Sequence, residues 1–287
     1  MIELEQYLYN KFTASSTKRY LFAIEKLFAF LGESNAIHAR YIDIISYLYS
    51  LRQKGFKNDY LQTEFYGIRN YYKWLLHNKI RVDDPTDNIK LSDLSNRSIQ
   101  FQDLFTKEEL SLLLSKKNRY ELLKWRDYLA ISFYIYQGLT TGEIASLTIY
   151  DVSLEKEVVF IMDSRNCSRI LKLNPNQIMA YKRYITFDRP TLIKCKSEQL
   201  FIGKLGQPET PDGFHYLIES QRKLFPNKKL NPKTVRQSVI VNLLMDGLSL
   251  IEVQLFAGHH YPSTTERYVQ EDLNELRSEI DKCFPLK

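Results

Sequence analysis

Cysteine is scarce in this chain. Cys167, Cys195 and Cys283 are the only three in 287 residues, and their wide spacing offers neither paired zinc ligands nor a disulfide framework. No uninterrupted apolar run approaches the roughly 20 residues that cross a bilayer. The opening M-I-E-L-E-Q-Y-L lacks the basic stretch and apolar core of a secretory leader. Secretion and membrane insertion are therefore not expected, and a reducing cytoplasm is the expected location. Internal repeats and low-complexity tracts are also missing. Neither sign of charge dominates strongly: Lys and Arg total 40 against 34 Asp and Glu, a net charge of +6. That balance favours an anionic partner only mildly. With 44% hydrophobic and 26% charged residues, disorder is excluded as the dominant state.

What is abundant is helical periodicity. From Ser16 to Leu31, the apolar residues Tyr20, Ile24, Leu27, Phe28 and Leu31 recur at helical spacing, with Ser15 or Ser16 as N-cap and Gly32 just past the end. Similar patterns run from His38 to Lys54, closed by Gly55, and from Asp59 to Asn78. With the short segment before Lys11 they predict a small helical bundle over 1–83. Between Asp83 and Gln102 the sequence turns polar and aperiodic, which predicts a linker over 84–103. A second domain is then expected over 104–287.

In that second domain, Thr106 and Glu109 have the spacing of a capping box, as do Thr140 and Glu143. A helix from Trp125 to Gln137 should end at Gly138. Val158–Met162 and Arg169–Leu173 flank a turn-rich stretch and predict a β-hairpin. Helical patterns return at Gln177–Tyr184, Phe214–Leu224, Val235–Met245 and Ser249–Ala257. The fold class expected is mainly α with a small β-hairpin or sheet.

The most informative stretch is Lys233 to Tyr268, K-T-V-R-Q-S-V-I-V-N-L-L-M-D-G-L-S-L-I-E-V-Q-L-F-A-G-H-H-Y-P-S-T-T-E-R-Y. Two apolar helical segments, closed by Gly247 and Gly258, would bring Arg236, His259 and Tyr268 toward one another. A guanidinium matches phosphate oxygens with paired donors, and an imidazole can donate to a nonbridging oxygen. A phenol can attack phosphorus once neighbouring charge activates it, since its ordinary pKa is about 10. With 20 Tyr in the chain, a lone tyrosine signifies little. Ser263 and Glu266 are spaced to cap a short helix carrying it. His260 reads as a loop residue. Adjacent histidines rarely chelate together, so no metal site is expected.

This segment resembles the C-terminal signature of the tyrosine recombinases, or phage integrases, and Tyr268 stands from Gly258-His259 at the separation that this family shows. The resemblance implies an N-terminal core-binding (SAM-like) helical domain, supported by S-x-x-T-K-R-Y and Y-G-I-R-N-Y-Y-K-W-L, and a C-terminal catalytic domain. It implies site-specific recombination of double-stranded DNA through a 3′-phosphotyrosyl intermediate on Tyr268, with Arg236, His259 and Lys233 stabilising the transition state and no cofactor. DNA contacts would come from Lys18, Arg19, Arg69 and Lys73, and the resemblance gives His260 a DNA-facing role as the alternative to a loop residue. The apolar stripe Leu273, Leu276 and Ile280 would dock on a neighbouring subunit, giving a homotetramer on DNA.

The chain departs from the family upstream. Where a G-L-R-x-x-E-L segment supplies a first arginine, this chain reads Gly138-Leu139-Thr140-Thr141-Gly142-Glu143-Ile144. Lys233 stands where a histidine is usual, and the hairpin D-S-R-N-C-S-R-I-L-K-L lacks the usual lysine. Arg165, Arg169 or Lys172 would have to compensate. Otherwise the chain would be a catalytically impaired DNA-binding protein with a regulatory or accessory role.

Overall fold

The computed structural model describes residues 2–91, 103–115, 120–162 and 168–269. The chain divides into two compact units, Met1–Arg97 and Ser98–Lys287.

The first unit is a helical bundle of α1 (Ile2–Lys11), α2 (Ala14–Leu31), α3 (Glu33–Ile37), α4 (Tyr41–Gln53) and α5 (Asn58–His77). α2 starts earlier than its apolar stripe suggests, because Thr13, not Ser15 or Ser16, is the N-cap: its hydroxyl accepts from the Ser16 amide. The helix expected from His38 is broken, and α4 begins only at Tyr41, where the Asp43 carboxylate accepts from the Arg40 amide at 2.8 Å. α2 and α5 pack closely at Gly67. A Cβ there would lie 2.9 Å from the Ala23 Cβ and 3.0 Å from the Tyr20 Cα. Ile24, Leu27, Ile44, Leu48, Leu61, Ile68 and Tyr72 form the core. Ile89 joins it and Thr86 is buried, although both lie in the stretch read from sequence as linker. That stretch is polar in composition, but single apolar and hydroxyl side chains tie its beginning to the bundle. Lys18, Arg19 and Lys73 are exposed. Arg69 is half-buried and lies 3.8 Å from the Asp87 carboxylate.

The second unit contains α6 (Lys107–Leu112), α7 (Lys124–Tyr136), α8 (Thr141–Ser146), β1 (Val152–Ser153), β2 (Val158–Ile161), β3 (Arg169–Lys172), α9 (Pro175–Arg183), α10 (Arg189–Leu192), α11 (Pro211–Glu219), α12 (Pro232–Met245) and α13 (Leu250–Ala257). A last helical segment covers 262–269, here α14. The hairpin expected from sequence gains a third strand, β1, in the antiparallel order β1-β2-β3 with Ile161 opposite Arg169. β1 is two residues long, too short to show an alternating pattern. Both expected capping boxes form, at Thr106/Glu109 and Thr140/Glu143. α12 starts three residues before the apolar pattern, since Asn231 caps it and Pro232 takes the first turn, where a missing N–H costs nothing. The core runs through Phe133, Tyr134, Leu139, Ile144, Val159, Tyr184, Phe201, Phe214 and Val235.

Candidate active site

The site forms where the ends of α7 and α13 meet the side of α12. Gly138, at the end of α7, has φ +57, and Gly258, the C-cap of α13, has φ +67 and ψ 38. Both occupy the left-handed region that glycine adopts without a Cβ penalty. Each reversal leaves a backbone carbonyl pointing at Arg236 on α12, which donates to Gly138 O and Ala257 O. Carbonyls at helix C-termini carry partial negative charge, so a guanidinium suits this position. The Arg236 side chain is 14% exposed, and burial is the main influence lowering its pKa. Its charge is held in a poorly solvated place.

His259 follows the Gly258 turn directly. Its amide donates to Gln254 O, and its Nδ1 lies 2.9 Å from the hydroxyl of Thr265, which is 1% exposed. Burial, then the charges of Arg236 and Arg169, push the imidazole down to about 4, with Glu143 opposing them. His259 is therefore neutral near pH 7. The Tyr268 ring lies parallel to it, with centroids 6.3 Å apart and 9° between planes. Tyr268 also packs on the small cluster of Ile240, Val253 and Ala257, which anchors α14 to the α12–α13 pair. The start of α14 differs from the sequence reading. Helical structure begins at Pro262, so Ser263 lies inside the first turn and does not cap it.

Glu143 joins the remaining parts. One oxygen accepts from the Thr140 amide at 2.7 Å and its hydroxyl at 2.8 Å, closing the capping box. That same oxygen is 3.7 Å from Arg236, while the other accepts from Arg169 at 2.6 Å. Burial alone would raise the Glu143 pKa. The bond and charge of Arg169, the Thr140 amide and the charge of Arg236 outweigh it and hold the carboxyl below its usual range.

Arg236, His259 and Tyr268 thus meet around one site. Lys233 is exposed, three residues before Arg236 on the first turn of α12. Lys172 is exposed on the opposite face of β3 from Arg169. His260 is exposed, with its ring stacked on Tyr261 at 4.6 Å, so the two histidines face different partners. Arg165 lies outside the described residues, as do Leu273, Leu276 and Ile280. Sequence reasoning did not single out Thr265 as the support of the imidazole or Glu143 as the shared carboxylate. The Glu143 signal was present in the capping-box spacing, but that accounts for only one of its two oxygens.

Residues 103–275 match the phage integrase family, and the chain belongs to that family, the tyrosine recombinases. It is similar to the tyrosine recombinase XerD of Halalkalibacterium halodurans, 27% identical over 236 residues that cover 82% of this chain and 78% of that protein. XerD of Yersinia pestis is 28% identical over 247 residues, covering 85% and 82%. Among solved structures, the XerH site-specific recombinase bound to a palindromic difH substrate in a post-cleavage complex matches with TM-score 0.72 at 19% identity, over 92% of this chain and 78% of that one. A lambda integrase (75–356) dimer bound to a COC′ core site matches with TM-score 0.66 at 11% identity, over 92% of each chain. These two share the fold.

Proposed function

We propose that this site-specific DNA recombinase cuts and rejoins double-stranded DNA through Tyr268. The observation that carries the reading is the meeting of Arg236, His259 and Tyr268 around one site, with the two rings parallel and the guanidinium held by two helix-end carbonyls. The phenolic oxygen attacks the scissile phosphorus and gives up its proton. The bond from phosphorus to the 5′-oxygen breaks, and that oxygen takes a proton to leave as a hydroxyl. A 3′-phosphotyrosyl link remains, conserving the ester for attack by the 5′-hydroxyl of a partner strand.

Arg236 faces the charge that builds on the phosphoryl oxygens, in a place too dry for water to screen it. The Thr265 hydroxyl lies 2.9 Å from Nδ1; with Thr265 as the donor in that contact, the proton of neutral His259 sits on Nε2, as a donor to a nonbridging oxygen. Lys233 supplies a further cation at the start of α12, and Lys18, Arg19, Arg69 and Lys73 neutralise DNA backbone phosphates. Four copies act together on paired duplexes, joined through the C-terminal residues Leu273, Leu276 and Ile280. We place the protein in the cytoplasm, with its DNA.

The test is selection of nicked duplexes, from a pool of random sequence, for a denaturant-resistant adduct with the full chain. Wild type should enrich a sequence and Tyr268→Phe should bind that duplex without forming the adduct. Tight, sequence-specific binding by wild type with no adduct would instead mean a DNA-binding protein that has lost the chemistry.

A further inference from the structure

Thr140 leaves the site one cation short of the family pattern, and its hydroxyl is spent on Glu143 within the capping box. On β3, Arg169 and Leu171 face inward while Ile170 and Lys172 face outward. The Arg169 side chain is only 7% exposed. Its Nη1 donates to Glu143, while Nε and Nη2 are buried with no hydrogen-bond partner among the described residues. The backbone of Gly258 lies directly against it. A Cβ at that position would fall 2.5 Å from Nη1 and 3.0 Å from Cζ.

A buried guanidinium with unused donors is costly unless its charge serves another group. Glu143 cannot neutralise Arg169 alone, because it also sits 3.7 Å from Arg236. Two guanidinium groups share one carboxylate, and the neighbouring imidazole is neutral, so the group as a whole carries an excess of one positive charge. Arg169 is felt beyond its ion pair, since its charge disfavours the charged forms of both His259 and Arg236.

We propose that Arg169 is a positioning residue of the phosphate site: from β3 its charge balances Glu143, so that in a site where Thr140 brings no cation the charge of Arg236 is left for the phosphate. It acts as a positioning residue, since its free nitrogens are buried and it works through Glu143 and the Gly258-His259 backbone. The inference rests on the recombinase reading of the same site.

The test compares adduct formation on the selected nicked duplex by wild type, Arg169→Met and the double variant Arg169→Met/Glu143→Gln. Losing one preorganised charge stabiliser should slow Arg169→Met by roughly 10²- to 10³-fold. Affinity for the intact duplex should change little. The double variant removes the carboxylate as well and restores the excess positive charge, and Gln still serves the capping box, so most of the rate should return. It also leaves no unpaired buried carboxylate, so it carries the comparison if Arg169→Met fails to fold. A folded double variant still about 10²-fold slower than wild type would overturn the proposal, as would Arg169→Met cutting at the wild-type rate. No adduct with wild type would sink the recombinase reading instead.

Discussion

The rings of His259 and Tyr268 lie parallel, 6.3 Å between centroids, and the two residues reach that arrangement from different elements. His259 is set by the left-handed Gly258 turn, Tyr268 by α14 packing on Ile240, Val253 and Ala257. His259→Phe should keep a flat ring beside Tyr268 while removing the N–H donor. We expect its adduct formation to fall by about 10²-fold or more with DNA affinity retained, a split readable from single-turnover rates and binding titrations. A rate within about threefold of wild type would remove His259 from the chemistry.

Proton affinity at His259 gives a measurable signature. Its folded-state pKa lies at about 4, below the ordinary 6.5, so between those values the unfolded chain binds more protons than the folded one. The stability it contributes is full above about pH 6.5 and is lost as pH falls toward 4. The NMR titration of its ring protons should stay flat from pH 8 to 6. A midpoint near 6.5 would show that burial and the two arginines do not act on it. In urea unfolding, the difference between wild type and His259→Asn should move in favour of the variant as pH drops from 7 to 5.

Gly258 is held by two constraints at once. Its φ of +67 disfavours a side chain, and a methyl there would press on the Arg169 guanidinium. The backbone term alone should cost Gly258→Ala about 1 to 2 kcal/mol. We expect a lower Tm and a loss of adduct formation larger than that of Gly247→Ala. Gly247 has φ +89, but a Cβ there meets nothing within 4 Å. Equal effects of the two substitutions on adduct formation would contradict the contact with Arg169.

The N-terminal bundle has its own test at Gly67. A methyl there would meet α2 backbone and Ala23, so Gly67→Ala should destabilise this unit by roughly 1 to 3 kcal/mol through overpacking. Circular dichroism of the full chain should show an earlier melting step, with the environment of His259 unchanged in NMR spectra. Undiminished stability would mean that α2 and α5 separate at little cost.

Much of this architecture was legible because helix spacing and caps are local signals. Thr106/Glu109, Thr140/Glu143 and the glycines after α7 and α13 mark boundaries that side chains and backbone impose within a few residues. The trio of Arg236, His259 and Tyr268 was legible through the resemblance to recombinases. Arg169 was legible only as one of three candidate compensating residues, and its pairing was not, because it depends on a distant contact. Arg169 meets Glu143 across 26 positions, and neither residue has a local pattern announcing the other. Ile89 was misplaced for a similar reason: one apolar side chain in a polar stretch says nothing about which core receives it.

Arg169 stands opposite Ile161 in the ladder between β2 and β3. Side chains alternate along a strand, so sliding β3 by a single position would carry the guanidinium outward and offer a hydrocarbon to Glu143 in its place. The electrical character of the cleft is therefore written into how two short strands are aligned. A hairpin four residues to a side decides whether a phosphate would meet an attractive or a nearly neutral hollow.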